Sequence, residues 1–327
     1  MKDWVSPPKP EAFYDVPKHF MPCVESDITS EMVIGFHDAV RHAINSDCIV
    51  IGSGLSGLTC VYNLLSLAEE QKMSPMLQIT LLEKESSPGG KGWMGSDNMN
   101  TVVVRKPGHE FLKSLGVAFD DRNDRYVVCK SGAEIIAKLL TKITAHDNVT
   151  LLPAECKEVL FADPQNSYSA VRGVGSAFPN YAVGNTSLFF NTKTVVVATG
   201  SSARETSSLQ YNLRRYASFG LQKETLNDVF GKSTDTVEAE DYMVHNTRAV
   251  SGGLIFAGSA VNELDFVADA GPTAAGRICS GLAAAELALA SIERARDAKA
   301  TRSIGLEAAG HFLHDETLGD SDEMKRS

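Results

Sequence analysis

The run Ile49-Val50-Ile51-Gly52-Ser53-Gly54-Leu55-Ser56-Gly57-Leu58 constrains the fold of this chain more than any other feature. An apolar strand enters a G-x-G-x-x-G loop and a helix leaves it. The next apolar strand ends on an acid, at Leu81-Leu82-Glu83. A βαβ unit of this kind holds an adenine dinucleotide. Gly52 makes the tight turn, Gly54 lets the backbone approach the pyrophosphate, and Gly57 lets the helix lie close on its strand. The first-turn N–H groups of that helix, with their partial positive charge, face the phosphates. Glu83 is placed to accept hydrogen bonds from a ribose diol. A glycine loop alone also fits a plain structural turn. The series of strand, loop, helix, strand and acid favours the nucleotide.

Composition narrows the partners. The chain has 327 residues and a net charge of −10. Nucleic acid and anionic membranes both need a basic face, so neither is expected as a partner. No apolar run reaches the roughly 18–20 residues of a membrane span. The opening Met1-Lys2-Asp3-Trp4-Val5-Ser6-Pro7-Pro8 lacks both the apolar core of a signal peptide and the arginine-rich character of a transit peptide. Cys23, Cys48, Cys60, Cys129, Cys156 and Cys279 are scattered without a C-x-x-C pair, mostly inside apolar runs. Buried reduced thiols and a cytoplasmic location are the expectation.

Periodicity predicts a helix over 28–44, a strand over 48–52, a helix over 55–70 and a strand over 77–83. Further strands are expected at 101–105, 126–129 and 149–152, with helices at 108–115 and 132–145 between them. Hairpin strands at 157–161 and 171–174 follow. The segment 193–200 (KTVVVATG) reads as a buried strand re-entering the nucleotide-binding sheet. Residues 206–230 read as mostly helical, 253–258 as the last core strand, and 273–295 as a long helix with proline near its start. The expected division is an N-terminal arm (1–27), one α/β domain (28–302) with an inserted hairpin region (about 153–192), and a flexible C-terminal tail (303–327).

A second glycine loop, Ser87-Pro88-Gly89-Gly90-Lys91-Gly92, follows the acid. Taken with SDCIVIGSGLSGL (46–58), LLEKESSPGGKGWMG (81–95), VVVRKPGHEFLKSLGVAFDD (102–121), YVVCKSGAEIIAKLL (126–140), AED (239–241) and the block 253–276, it makes the resemblance specific. The chain resembles the thiamine thiazole synthases, which build the thiazole half of thiamine from NAD and glycine. The resemblance implies a Rossmann-like ββα fold of the FAD/NAD(P)-binding type. It also implies a bound NAD or NAD-derived adenine dinucleotide, with FAD as the alternative, and a homo-oligomer, in this family an octamer. Its nucleotide contacts carry over to Gly52, Ser53, Gly54, Ser56, Gly57, Glu83, Lys84 and Gly90. They extend to Gly271 in the last block and to Lys157, near which the family's adenine contact from the hairpin strand falls.

The family's chemistry does not carry over. Its sulfur donor sits in a Thr-Gln-x-Cys-Met-Asp-Pro loop, and the corresponding 173–194 here has neither cysteine nor aspartate. Its iron-binding T-G-H-D reads Thr199-Gly200-Ser201-Ser202 here, and serine is a poor iron ligand. No metal is expected. The arginine that grips the glycine carboxylate precedes M-G-P in the family, and here that segment is Ala268-Asp269-Ala270-Gly271-Pro272. Asp269 repels a carboxylate unless another cation stands in.

Ser201, Ser202, Ser259 and Asp269 match family active-site positions and are the candidates for holding a polar ligand or moving a proton, with loss of function as the bland alternative. Arg105, Lys106 and His109 sit where a strand meets a helix. They either line the pocket, His109 as a catalytic candidate, or form a structural ion pair. His146 and His245 read as solvated. Phe178, Tyr181, Phe189 and Phe190 make either an apolar wall over the pocket or ordinary core. The expected function is a metal-independent cyclase or isomerase of specialised metabolism, acting on an apolar small molecule beside the dinucleotide. The competing readings are a thiazole synthase using external sulfide, a non-catalytic dinucleotide-binding protein, and an FAD or NAD oxidoreductase.

Overall fold

The computed structural model describes residues 23–85, 87–90, 100–162, 171–177, 187–200, 236–265, 267, 270–271 and 273–316, with 299–316 as backbone only. The chain divides into two units, Met1–Asp38 and Ala39–Ser327. Helix α1 (Glu25–Ala43) begins in the first. It carries Glu25 and Asp27 in its first turn and Arg41 in its last, charges that complement the helix dipole. Val24, Ile28 and Met32, spaced at four residues, are exposed on one face.

The second unit is built on a six-stranded sheet with the order β11-β12-β10-β1-β2-β6. Its strands are β1 (Cys48–Ile51), β2 (Ile79–Leu82), β6 (Val149–Leu152), β10 (Thr194–Val197), β11 (Arg248–Ser251) and β12 (Leu254–Phe256). All pairs are parallel except β11 with β12. The β1, β2 and β10 sequences CIVI, ITLL and TVVV are apolar or β-branched and buried throughout. A parallel sheet covered on both faces demands such runs. Along β1 the side chains alternate between two cores. Cys48 and Val50 join one and Ile49 and Ile51 the other.

Helices α2 (Leu55–Glu70), α4 (Gly132–Thr144) and α7 (Ala275–Glu316) supply the first core. It is extended by α3 (His109–Leu115) and a small antiparallel sheet of β3 (Val102–Arg105), β5 (Tyr126–Cys129) and β4 (Asp120–Asp121). The second core lies under an antiparallel sheet of β7 (Glu155–Phe161), β8 (Val171–Ala177) and β9 (Ser187–Asn191). The last turn of α1 and the short helix α6 (Ser259–Leu264) complete it. Helix α5 (Thr236–His245) precedes β11.

Three features depart from the sequence expectation. The apolar run Leu188-Phe189-Phe190 lies on β9, so its side chains alternate. Phe190 is 1% exposed in the second core and Phe189 is 57% exposed on the opposite face, so these two do not make one wall. Strand β11 is half-exposed at the sheet edge and has no continuous apolar run to announce it. Helix α7 continues to Glu316, and its stretch Ala275–Ala298 is long and apolar enough to cross a membrane. That stretch is 61% buried inside this chain, so its apolar surface is used in packing. Segment 206–230 and the residues Phe178 and Tyr181 lie outside the described residues.

Candidate functional site: a dinucleotide cradle and its rim

The loop after β1 is fixed by backbone geometry. Gly52 has φ +100°, and a Cβ there would meet the Ala198 carbonyl oxygen at 2.5 Å. A Cβ on Gly57 would lie 2.0 Å from the Gly52 oxygen. Both glycines are therefore required by packing. Gly54 differs. Its φ of −64° and ψ of 178° suit any residue, and nothing stands within 4 Å of a Cβ built on it. Gly54 faces open space at the N-cap of α2, which has no side-chain cap and no acid in its first turn. A loop that needs no side chain for folding and leaves helix N–H groups uncapped suits a pyrophosphate.

Glu83 closes the cradle. It is buried, and its Oε2 accepts the Ser53 N–H at 2.9 Å and the Ser53 hydroxyl. Its Oε1 accepts the Glu85 N–H at 2.9 Å. Ser53 Oγ in turn accepts the Gly89 N–H at 3.0 Å, so the second glycine loop is tied to the first. Gly90, at φ +53°, lies against Gly54: a Cβ on it would be 3.7 Å from the Gly54 Cα. A carboxylate offers about four acceptor directions, so Glu83 can serve the loop and still take a ribose hydroxyl. The residues present fit an adenine dinucleotide.

The rim is formed where β12 ends. Gly258, at φ +66°, is pressed against Ser56: a Cβ there would lie 2.2 Å from Ser56 Oγ. Its N–H donates to Ser280 Oγ at 2.7 Å. Ser259 follows directly, 4% exposed, and its Oγ accepts from Arg277 Nε at 3.3 Å. Arg277 Nη1 donates to the carbonyls of Gly271 (3.0 Å) and Thr273 (2.6 Å). The far end of α6 is held by Asp265, which receives both Nη groups of Arg248 at 2.8 and 2.7 Å and the Tyr242 hydroxyl at 3.1 Å. Burial, and then the Asp265 charge, push Tyr242 up to about 12.

The start of α7 is held from outside. Glu240, 2% exposed on α5, accepts the Gly276 N–H at 2.6 Å and Arg105 Nη1 at 3.0 Å. The AED segment thus caps α7 and docks β3, and Arg105 also bonds Asp241 at 2.9 Å.

The contacts join Gly52, Ser53, Gly54, Ser56, Gly57, Glu83 and Gly90 into one cradle, with Ser259 and Gly271 on its rim. Lys84 is exposed beside Glu85 (3.8 Å). Lys157 lies at the bulge of β7 and pairs with Glu155. His109 faces the Pro107 carbonyl through Nδ1 (3.2 Å) and Glu110 through Nε2 (3.0 Å). Lys106 pairs with Asp121 at 2.9 Å. Arg105, Lys106 and His109 therefore take part in ion pairs or local bonds. His146 lies 3.7 Å from Glu69, and His245 bonds the Asp241 carbonyl at 2.7 Å. Ser201, Ser202 and Asp269 lie outside the described residues. Sequence reasoning missed Arg277, visible as a cation one turn after Gly-Pro-Thr, and it singled out the AED stretch without the role of Glu240, which acts across 36 residues.

Five of the six thiols have raised pKa values. Burial pushes Cys60 and Cys156 up to about 12, and burial, followed by the neighbouring Cys60 and Asp47, pushes Cys48 well above its ordinary value. Cys129 is pushed to about 11 and Cys279 is also raised, burial leading in both. Such groups stay protonated at neutral pH and are weak nucleophiles. Cys23 is exposed. The sequence reads Thr199-Gly200-Ser201-Ser202 after β10 and has no aspartate in 173–194. Among the described residues, no three His, Cys, Asp or Glu side chains come together.

A glycine loop entering α2 at the carboxyl end of a parallel strand, with an acid at the end of the next strand, defines a dinucleotide-binding α/β protein of Rossmann-like type. The comparisons agree. The sequence model described as the Thi4 family matches residues 29–274. The thiamine thiazole synthase of Uromyces fabae is 31% identical over 295 residues, covering 88% of this chain and 84% of its own. The chloroplastic thiamine thiazole synthase of Citrus sinensis is 32% identical over 283 residues, covering 84% and 73%. The crystal structure of Thermovibrio ammonificans THI4 shares the fold at a TM-score of 0.68 and 23% identity, covering 84% of this chain and 100% of that one. The chain belongs to the Thi4 family.

Proposed function

We propose that this chain is an enzyme that keeps the adenine-dinucleotide site of its family and has exchanged the thiazole chemistry for a metal-independent cyclisation or isomerisation of a mostly apolar small molecule. One contrast carries the reading. The cradle of Gly52, Ser53, Gly54, Gly57 and Glu83 is intact in geometry. The sulfur-donor cysteine, the iron-binding His-Asp and the carboxylate-gripping arginine are absent from the positions where the family has them.

In this reading the first turn of α2 and the Gly54 backbone hold the pyrophosphate, and Glu83 holds a ribose. When bound, the dinucleotide supplies either a hydride carrier or a wall of the pocket. Ser259, on the rim, is placed to hold a polar group of the substrate. A pocket that fixes the reactive conformer accelerates an intramolecular ring closure through orientation alone. A homo-oligomer and a cytoplasmic setting belong to the same proposal.

The second reading, a thiazole synthase using external sulfide, is favoured by the 31% and 32% identity to enzymes of that name. The test is incubation of purified protein with NAD, glycine, sulfide and ferrous iron, followed by mass spectrometry. No thiazole-bearing adenine nucleotide is expected. Its formation at a catalytic rate would restore the second reading.

A further inference from the structure

The acid that follows β2 is heavily engaged by the protein's own donors. Glu83 Oε2 accepts the Ser53 N–H at 2.9 Å and the Ser53 hydroxyl, and Oε1 accepts the Glu85 N–H at 2.9 Å. Ser53 stands between the first two glycines of the loop and is fully buried. An alanine here would still offer Glu83 a backbone N–H, so the hydroxyl is what serine adds.

The direction of that hydroxyl bond is set by its surroundings. Ser53 Oγ accepts the Gly89 N–H at 3.0 Å, and a carboxylate is acceptor-only. The single proton of Ser53 Oγ therefore goes to Glu83 Oε2. The arrangement is also locked. Turning the side chain away would strand the buried Gly89 N–H, and turning the hydrogen alone would leave a buried donor unpaired.

A carboxylate has about four acceptor directions. Among the described residues, the loop fills both directions on Oε2 and one on Oε1. One direction remains, on Oε1, and a ribose diol presents two hydroxyls. Glu83 is 8% exposed, so the residue is not sealed off.

We propose that Ser53 is a specificity-determining residue of this site: by occupying Oε2, its hydroxyl restricts Glu83 to one hydroxyl of the adenosine ribose. The site then takes adenine nucleotides that lack the other vicinal hydroxyl as readily as those that carry it. The inference rests on the proposed adenine-dinucleotide site and adds how much of the ribose that site reads. Ser53→Ala removes the hydroxyl but keeps the backbone N–H, so it opens one acceptor direction on Oε2 and lets Glu83 take both hydroxyls.

The test is calorimetric titration of the full-length protein with ADP, 2′-deoxy-ADP and 3′-deoxy-ADP. In wild type, removal of one hydroxyl is expected to weaken binding about tenfold, and removal of the other to leave it within about twofold. In Ser53→Ala, both deoxy analogues should bind at least about fivefold more weakly than ADP. Each comparison is a ratio within one protein, so a general loosening of the second glycine loop cancels. The wild-type comparison carries the test alone if Ser53→Ala fails to fold. The proposal is overturned if wild type loses affinity on removal of either hydroxyl, or on removal of neither. It is equally overturned if Ser53→Ala keeps the wild-type pattern. Absence of ADP binding to wild type would overturn the nucleotide reading as well, whereas binding of ADP with a contrary pattern overturns the Ser53 proposal and leaves that reading standing.

Discussion

At the residue scale, the three glycines of the first loop separate binding from folding. Gly54→Val places a branched side chain in open space, so stability should hold within about 1 kcal/mol while dinucleotide affinity falls on the order of a hundredfold. Gly52→Ala and Gly57→Ala drive a Cβ into backbone oxygen and should cost about 1–3 kcal/mol or more. Thermal melting beside nucleotide titration reads both. Normal nucleotide retention in Gly54→Val would mean the loop has another purpose. The buried thiols make a pH prediction. Their pKa values are raised in the folded state, so below about pH 8.5 both states are protonated and the thiols contribute no pH dependence. Above that, only the unfolded chain ionises, and each fully buried thiol lowers stability by about 1.4 kcal/mol per pH unit until its folded pKa is reached. Stability should therefore decline from about pH 8.5 upward, more steeply in wild type than in Cys60→Ala. Equal alkaline slopes would contradict the burial argument.

At the element scale, the legible parts were those whose signals are local. The β1–α2–β2 unit could be read because a buried strand, a glycine loop and an amphipathic helix each leave a contiguous mark, and 55–70 matches the observed α2. Strand β6 was equally plain at 149–152. Strands β9 and β11 were not, because each is defined by its partner: β9 by β8 and β11 by β12. The rim of the site was legible only in part. Ser259 and Gly271 could be placed by resemblance, but Arg277 and Glu240 act through contacts that sequence spacing does not show. Glu240 gives the sharpest test. Glu240→Ala leaves the Gly276 N–H without its buried acceptor and frees Arg105 from one of its two carboxylates. The loss should be about 1–3 kcal/mol in urea unfolding. An unchanged midpoint would show that the α5 contact is not needed to seat α7.

At the scale of the whole molecule, the chain belongs to the Thi4 family and has its fold. A shared fold does not by itself fix the reaction. Chelator treatment should leave dinucleotide binding and substrate turnover unchanged, since the cradle consists of backbone, Ser53 and Glu83. Activity lost on chelation and restored by iron alone would contradict that. The most direct test of the central claim is mass spectrometry of the small molecules released when the purified protein is denatured. The account predicts an adenine dinucleotide or ADP-ribose derivative approaching one per chain, with no thiazole attached. A thiazole-bearing adenine nucleotide, or no nucleotide at all, would contradict it.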